Sequence, residues 1–224
     1  MPGADSASTI ATAVSANAES FERAADAGAE LLLVHHGLFW GSGVRAIDAL
    51  LKRRLQILLD AGIALAAYHL PLDAHGELGN NALLAEGLGA ERRDPFGAHA
   101  GTTIGCLATL PGEGVAIGEL IERTAELTRR APLLLDGGAP RVQRLAIVSG
   151  SGADYLTEAA AAGAQALLTG EPAERATALA SELGVHLIAA GHHATETFGV
   201  KTLGERLAER FGLAHSFIDA SNPV

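Results

Sequence analysis

The stretches ADAGAELLLVHHG (residues 25–37) and AAAGAQALLTGEP (residues 160–172) follow the same plan. In each, the end of a helical segment leads through Ala-Gly-Ala into an apolar strand and then into a polar turn. A second pair follows, because GIALAAYH (residues 62–69) resembles GVHLIAAGH (residues 184–192) with one residue inserted before the histidine. Chance similarity between Ala-rich segments is the alternative. The pattern indicates an internal duplication, in which each half supplies two strands that end in polar residues.

Short apolar runs alternate with longer segments of helical period along the rest of the chain, which is typical of α/β units with parallel strands. Asn17 is a candidate N-cap, and Gly28 and Gly62 are candidate helix ends. The pattern predicts strands at residues 9–15, 30–35, 63–68, 100–109, 143–149, 165–169 and 185–190, and helices at residues 17–28, 44–61, 79–88, 115–130, 152–163, 172–184 and 199–211.

Composition limits the classes of partner. The 224 residues are 48% apolar and carry a formal net charge of −10, which argues against nucleic acid and anionic membrane as partners. The longest apolar runs, at residues 31–34 and 63–68, are far shorter than the roughly 20 residues of a membrane-spanning helix. Cys106 is the single cysteine, and no signal-peptide pattern opens the sequence. We therefore expect a soluble, cytoplasmic protein.

Polar groups that bind metal stand where four predicted strands end. Ligands bind at the carboxyl ends of strands in open α/β sheets, and a turn after a strand lets two adjacent imidazoles reach one place. Asp73 can bridge two ions through its two oxygens, and His192 and Glu196 are spaced to share one side of a helical turn. Imidazole and carboxylate donors without thiolates predict an open site for Zn, Mn, Fe or Ni. The groups are His35-His36, His69 with Asp73, Glu171, and His192-His193 with Glu196.

The alternative for each histidine taken alone is a structural, hydrogen-bonded role. The positions argue against this for the set, because six of the nine histidines fall at or just after predicted strand ends, at 35, 36, 69, 75, 192 and 193. His99, His186 and His215 are expected to be structural. His193 is three residues from Glu196 and is an alternative ligand to His192.

Three other features are weaker. Ser149-Gly-Ser-Gly152 is a Gly-rich turn that is able to cradle phosphate, but a plain strand-to-helix turn also needs glycine and is the preferred interpretation. Ser-His-Asp chemistry has its residue types but lacks a G-x-S-x-G nucleophile elbow. Cys106 lies within a predicted strand and is expected in the core.

Four motifs, in order along nearly the whole chain, resemble the Nif-three-like dinuclear-metal-centre family, whose members are homologues of type 2 GTP cyclohydrolase 1. The motifs are VHHGLFW (residues 34–40), HLPLDAHGELGNN (residues 69–81), LLTGE (residues 167–171) and AAGHHATET (residues 189–197). The resemblance implies two related α/β lobes, a two-metal site in the cleft between them and a toroidal homohexamer. We place the first lobe at residues 1–95 plus 195–224 and the second at 96–194.

Carried over by motif, the resemblance makes His35, His36, Asp73, His192 and Glu196 the ligands of two divalent ions. His69 and Glu171 would face the same cavity as candidate catalytic groups that move protons. Family members usually begin with an additional helix and strand, so an unpaired edge in the first lobe is expected.

Two ions in an enzyme suggest hydrolysis, because metal lowers the pKa of a bound water. The sequence therefore predicts a metal-dependent hydrolase that acts on a small molecule or nucleotide, as a type 2 GTP cyclohydrolase would. It shows no evident guanine pocket and no Lys and Arg clamp for a triphosphate. A non-catalytic, metal-binding regulatory or metal-handling protein is the second hypothesis, and a structural α/β protein with incidental histidines is the third.

Overall fold

The computed structural model describes residues 1–3, 5–40, 46–220 and 222–224. The chain divides into two compact units, Met1–Leu72 with Gly199–Ser221 and Asp73–Phe198 with Asn222–Val224. Both units combine helices with a β-sheet, so the expected α/β class is confirmed.

Strands and helices alternate along most of the chain. The strands are β1 Thr9–Ser15, β2 Leu31–His36, β3 Ala64–Ala67, β4 Arg92–His99, β5 Thr102–Thr109, β6 Val115–Ala116, β7 Leu133–Leu135, β8 Arg141–Val142, β9 Arg144–Val148, β10 Ala166–Thr169, β11 His186–Ala189 and β12 Ala214–Phe217. The helices are α1 Ala18–Asp26, α2 Ala49–Asp60, α3 Leu70–Asp73, α4 Asn80–Gly87, α5 Ile117–Thr128, α6 Leu156–Ala161, α7 Ala176–Leu183, α8 His192–Thr195 and α9 Thr197–Phe211, with a 3₁₀ turn at Ala153–Tyr155.

The first unit is built on a parallel sheet with the strand order β12-β1-β2-β3. Parallel strands need crossover helices, and α1 and α2 supply them. Phe21, Leu32 and Leu58 are fully buried in the core of this unit, and burying a side chain of this size stabilises the fold by roughly 1.5–3 kcal/mol. The edge strand β3 is paired in part, because the backbone N of Leu65 donates to the carbonyl of Met1 at 3.0 Å. The expected unpaired edge is therefore not seen at this position.

The second unit is built on a mixed sheet with the order β4-β5-β9-β10-β11-β7. Strands β9, β10 and β11 are parallel, whereas β4, β5 and β7 pair antiparallel to their neighbours. Leu145, Ile147 and Leu168 lie in its core. The chain pattern did not predict β4, because its sequence RRDPFGAH is polar and contains a proline, which strands tolerate mainly at an edge.

The internal duplication is visible in the backbone. Gly28 ends α1 with φ +65° and Gly163 ends α6 with φ +75°. The next residue in each case, Ala29 or Ala164, donates its N–H back into the helix, at 3.0 Å and 2.9 Å. The following strands keep the same register, since Leu31 pairs with Ala64 in the first unit and Ala166 pairs with His186 in the second. The two halves therefore share one β-α-β-α-β frame.

The seven predicted strands are present, with ends within two residues of the expected ones. Asn17 caps α1 by accepting the N–H of Ser20 at 2.8 Å, as predicted. Three helices begin four or five residues later than expected, and one of them is α6, which starts at Leu156 after a 3₁₀ turn instead of at residue 152. The structure starts α2 at Ala49, where the Asp48 side chain caps it, and residues 44 and 45 of the expected helix lie outside the described residues. It starts α7 at Ala176, so Pro172 lies in the preceding turn.

The unit boundaries differ from the expected lobes. Residues 73–95 belong to the second unit, whereas the first lobe was expected to extend to residue 95, and the later boundary falls at Phe198 instead of residue 194. The physical reason is packing: Leu84 and Leu88 of α4 are buried in the core of the second unit, and β4 pairs with β5.

Within the described residues, every helix is too short or too polar to cross a bilayer.

Candidate metal centre

Three imidazoles gather in the first unit. His35 and His36 end β2, and His69 follows its parallel neighbour β3 by two residues. Because the carboxyl ends of parallel neighbours lie at one edge of a sheet, the side chains meet there. The ring centroid of His35 lies 4.8 Å from that of His36 and 5.0 Å from that of His69, and the His36–His69 distance is 5.2 Å. Nitrogens of the three rings all lie within 4.8 Å of one another, so this group is able to hold a metal ion.

Hydrogen bonds orient two of these rings. The Nδ1 atom of fully buried His35 lies 3.0 Å from the carbonyl oxygen of Tyr68. A carbonyl only accepts, so Nδ1 carries the proton and Nε2 is the nitrogen suited to a metal. Nδ1 of His36 lies 3.2 Å from the hydroxyl of Ser15, which is its register partner on β1. Partners on the second ring nitrogen are usual for histidines that bind metal.

Asp73 is held by a buried polar network in the second unit. Its Oδ1 atom accepts hydrogen bonds from the Asn80 amide at 2.8 Å and from the Ser149 hydroxyl at 3.2 Å. Asn81 connects the same parts of the chain, because its side chain accepts the N–H of Ser149 at 2.7 Å and donates to the carbonyl of Ile104 at 2.7 Å. The carboxylate of Asp73 is thereby fixed in position although it stands at the end of a four-residue helix.

His192 stands between two carboxylates of the same unit. Its Nδ1 atom pairs with Glu171, and its Nε2 atom lies 3.1 Å from the carboxylate of Glu196, one turn along the chain. Burial works against a charged His192, but the hydrogen bonds and negative charges of Glu196 and Glu171 outweigh it and raise the pKa of the imidazole to about 9. The side chain therefore carries a proton at neutral pH when no metal is bound.

Two buried carboxylates stand close together in this unit. Asp73 is 7% exposed and Glu196 is 3% exposed, and an oxygen of one lies within 4.8 Å of an oxygen of the other. Two like charges about 5 Å apart repel by roughly 3 kcal/mol at an effective dielectric constant of about 20. A cation at this place removes the repulsion, and imidazole with carboxylate is a donor set that divalent transition metals accept. The residues present thus fit a metal ion.

The turn at Ser149–Gly152 donates two of its backbone N–H groups to threonine hydroxyl groups of the same unit. The N–H of Gly150 donates to the Thr195 hydroxyl at 3.1 Å, and the N–H of Gly152 donates to the Thr169 hydroxyl at 2.8 Å. These donors hold the turn against α8 and β10, which supports the plain-turn interpretation. Gly150 has φ +65°, and a Cβ there would overlap Oε1 of Glu196 and lie 3.1 Å from Nε2 of His192.

The other histidines in the described part of the chain make different contacts. His75 is exposed and accepts the N–H groups of Glu77 and Leu78 through Nδ1, so it shapes a turn. His186 accepts from the N–H of Gly137 and pairs with the carbonyl of Ala139, which fits its expected structural role. His215 pairs with the Thr12 hydroxyl at 2.9 Å, and His99 is exposed on β4. Of the adjacent pair that begins α8, His192 is the ring that lies between Glu171 and Glu196, and His193 is buried.

The sequence profile of the family Duf34/NIF3 (NGG1p interacting factor 3) matches residues 2–223. The chain belongs to the DUF34/NIF3 family. Relatives in this family include proteins named "GTP cyclohydrolase 1 type 2 homolog". That of Deinococcus radiodurans is 42% identical over 217 residues, which are 97% of this chain and 82% of the relative, and that of Archaeoglobus fulgidus is 41% identical over 217 residues, 97% of this chain and 86% of the relative.

A solved structure shares the fold of this DUF34/NIF3 chain. The crystal structure of the protein TTHA1606 from Thermus thermophilus is 37% identical to this chain, with a TM-score of 0.91 over 100% of this chain and 88% of that one. The family resemblance of the four motifs is therefore confirmed, and so is the fold.

The sequence pattern predicted which polar side chains lie close together, but it did not predict the hydrogen bonds that hold them. It named His35, His36 and His69, which the structure brings together, and His192, Glu171 and Glu196, which it also brings together. It did not foresee the contacts of Asn80 and Ser149 with Asp73. Both residues stood in motifs already noted, the GNN end of the HLPLDAHGELGNN segment and the Gly-rich turn, and this was the available signal.

Proposed function

We propose that this DUF34/NIF3 protein binds two divalent metal ions and uses them to hydrolyse a small molecule. The ligands in this proposal are His35, His36, Asp73, His192 and Glu196. The observation that carries it is the close grouping of donors in each unit: three imidazoles in the first, and the buried carboxylates of Asp73 and Glu196 with His192 in the second. The donor types suit Zn, Fe, Mn or Ni.

The geometry favours different roles for Glu171 and His69, which are not among the proposed ligands. Glu171 contacts Nδ1 of His192, the position of a carboxylate that orients a metal-binding histidine. We therefore propose that Glu171 is a positioning residue, although the sequence suggested a catalytic one. His69 lies among the rings of His35 and His36, where an imidazole is able to accept or donate a proton beside a reacting water. A bound divalent ion would supply the acidity, by lowering the pKa of its water toward neutrality.

For the substrate we propose a nucleotide or a related small molecule, with water adding to a ring carbon as in a type 2 GTP cyclohydrolase reaction. The names of the relatives support this class. The family resemblance also supports a homohexamer in the cytoplasm, and light scattering of the purified protein tests its size. A monomer at micromolar concentration would contradict the hexamer.

Elemental analysis of untagged protein, purified without added metal, is the first experiment. We expect two ions per chain in the wild type and the loss of at least one in Asp73→Ala and in His36→Ala. His99→Ala is the matched control, because this histidine is exposed and is expected to leave the metal content unchanged. Full occupancy in Asp73→Ala would show that the carboxylate is not a ligand, and metal-free wild type would end the proposal.

Turnover is tested separately on the metal-loaded protein. The absorbance of the purine ring of GTP reports opening of the ring, and His69→Ala is expected to abolish the change while the metal content stays the same. Normal metal content without turnover of GTP or any other nucleotide would favour the non-catalytic, metal-handling alternative.

A further inference from the structure

Three exposed aromatic residues are near neighbours, along the chain, of the histidine group of the first unit. Phe39, Trp40 and Tyr68 are 62%, 46% and 49% exposed, in a chain whose aromatic content is only 4%. Phe39 and Trp40 come soon after His36, and Tyr68 directly precedes His69, so all three belong to the same edge of the parallel sheet. Large aromatic side chains that remain in water beside polar groups commonly mark a binding surface.

The indole ring of Trp40 lies against two of the histidine rings. The centroid of its indole lies 5.2 Å from the ring of His36 and 5.0 Å from the ring of His69. The interplanar angles are 59° and 79°, so the imidazoles meet the indole at a steep angle instead of lying flat on it. Nearly half of the Trp40 side chain is still exposed. A flat molecule is therefore able to stack on the indole with its edge directed at the two imidazoles.

We propose that Trp40 is the stacking surface for a planar nitrogen heterocycle, whose ring edge faces His36 and His69. This inference rests on the proposed function, because a metal at His36 is what gives the ring edge a reactive neighbour. Indole supplies stacking energy to any flat ring, and the imidazole of His69, which is not a ligand in the proposed function, is able to hydrogen-bond a ring nitrogen. The net charge of −10 gives no long-range attraction for a polyanion, so the ring and not a phosphate tail is the recognised part.

The sole tryptophan of the chain makes the test specific, because all indole emission comes from Trp40. Zinc-loaded protein is titrated with guanosine, adenosine and uridine, and with ribose as a control that lacks the ring. We expect saturable quenching by at least one nucleoside and none by ribose. Calorimetry on variants then compares affinities: Trp40→Leu is expected to weaken binding about tenfold, and Trp40→Phe to stay within about threefold of the wild type. Phe211→Leu is the matched control for loss of an exposed aromatic side chain and is expected to bind like the wild type.

Equal affinity of Trp40→Leu and the wild type, or no binding of any nucleoside, would overturn the stacking site. Emission that changes with protein concentration and not with nucleoside would also overturn it, by assigning the surface to a second copy of the chain. Zinc content is measured in each sample, so that the two proposals fail separately. Nucleoside binding without zinc uptake would contradict only the metal site, and zinc uptake without nucleoside binding would contradict only the stacking site.

Discussion

Replacing Gly150 by Ala tests whether the turn after β9 keeps the Glu196 carboxylate in place. Gly150 has φ +65°, and the added Cβ would overlap Oε1 of Glu196. Gly28 is a matched control, because it also has φ +65° but has no atom within 4 Å of an added Cβ. Gly28→Ala therefore introduces only the backbone strain, which costs roughly 1–2 kcal/mol for a non-glycine residue in this conformation.

Gly150→Ala introduces the same strain and a displacement of Glu196. The carboxylate is 3% exposed and lies 3.1 Å from Nε2 of His192, so moving it disrupts a charged hydrogen bond worth roughly 1.5–3 kcal/mol. We expect a total loss of about 3–5 kcal/mol in the free energy of unfolding of the metal-free protein.

Urea denaturation followed by circular dichroism measures the free energies of the wild type and both variants, and elemental analysis measures their metal. Gly28→Ala is expected to keep its metal. Gly150→Ala is expected to bind metal at least tenfold more weakly, because Glu196, a ligand in the proposed function, has moved. Loss of a hydrogen bond that orients a ligand has an effect of at least this size. Equal stability and equal metal content in the two variants would refute the assignment of Gly150 to the site.

Three further predictions concern titration and reactivity. Although burial lowers it, Glu196 and Glu171 raise the pKa of His192 to about 9, so a metal ion that binds this imidazole below that pH must displace a proton. We therefore expect the metal affinity to fall about tenfold per pH unit from about pH 9 to 7. Metal affinities from chelator competition that do not change over this range would contradict this. Glu171→Gln removes a negative charge that stabilises the protonated His192 and that orients its ring. We expect the pH dependence of the metal affinity to shift to lower pH, and the affinity above about pH 9 to drop about 10–100-fold. Burial raises the pKa of the Cys106 thiol to about 12, so a thiol reagent should not modify folded protein at about pH 8, and rapid labelling without unfolding would contradict its core position.

Much of the fold was predictable because strong local patterns agree with it. The Ala-Gly-Ala helix ends and the apolar strands after them repeat in both halves, and glycine is required where φ reaches +65° or +75°. The predicted strand ends also indicated where the histidines lie, because neighbouring parallel strands have their carboxyl ends at the same edge of the sheet. The positions of His35, His36 and His69 at strand ends were enough to predict that the three side chains form one group.

The remainder depends on contacts between distant residues, which a single sequence does not encode locally. The bond from Ser149 to Asp73 joins positions 76 residues apart. Strand β4 has a polar sequence and exists because β5 offers it a partner, and this pairing also draws residues 73–95 into the second unit. The contact of the Glu171 carboxylate with His192 likewise joins residues that lie on separate elements of the chain.

The repeated frame fixes where donor groups stand without fixing which groups they are. In the alignment of the two halves, His36 of the first unit occupies the position of Glu171 in the second. At this position one half carries an imidazole and the other a carboxylate, whereas the second aligned pair keeps a histidine in both halves, His69 and His192, on backbones with the same register. Imidazole suits zinc, nickel and iron, whereas carboxylate suits harder ions such as manganese. A substitution at this one position therefore exchanges the type of donor while the backbone frame of both halves is left intact.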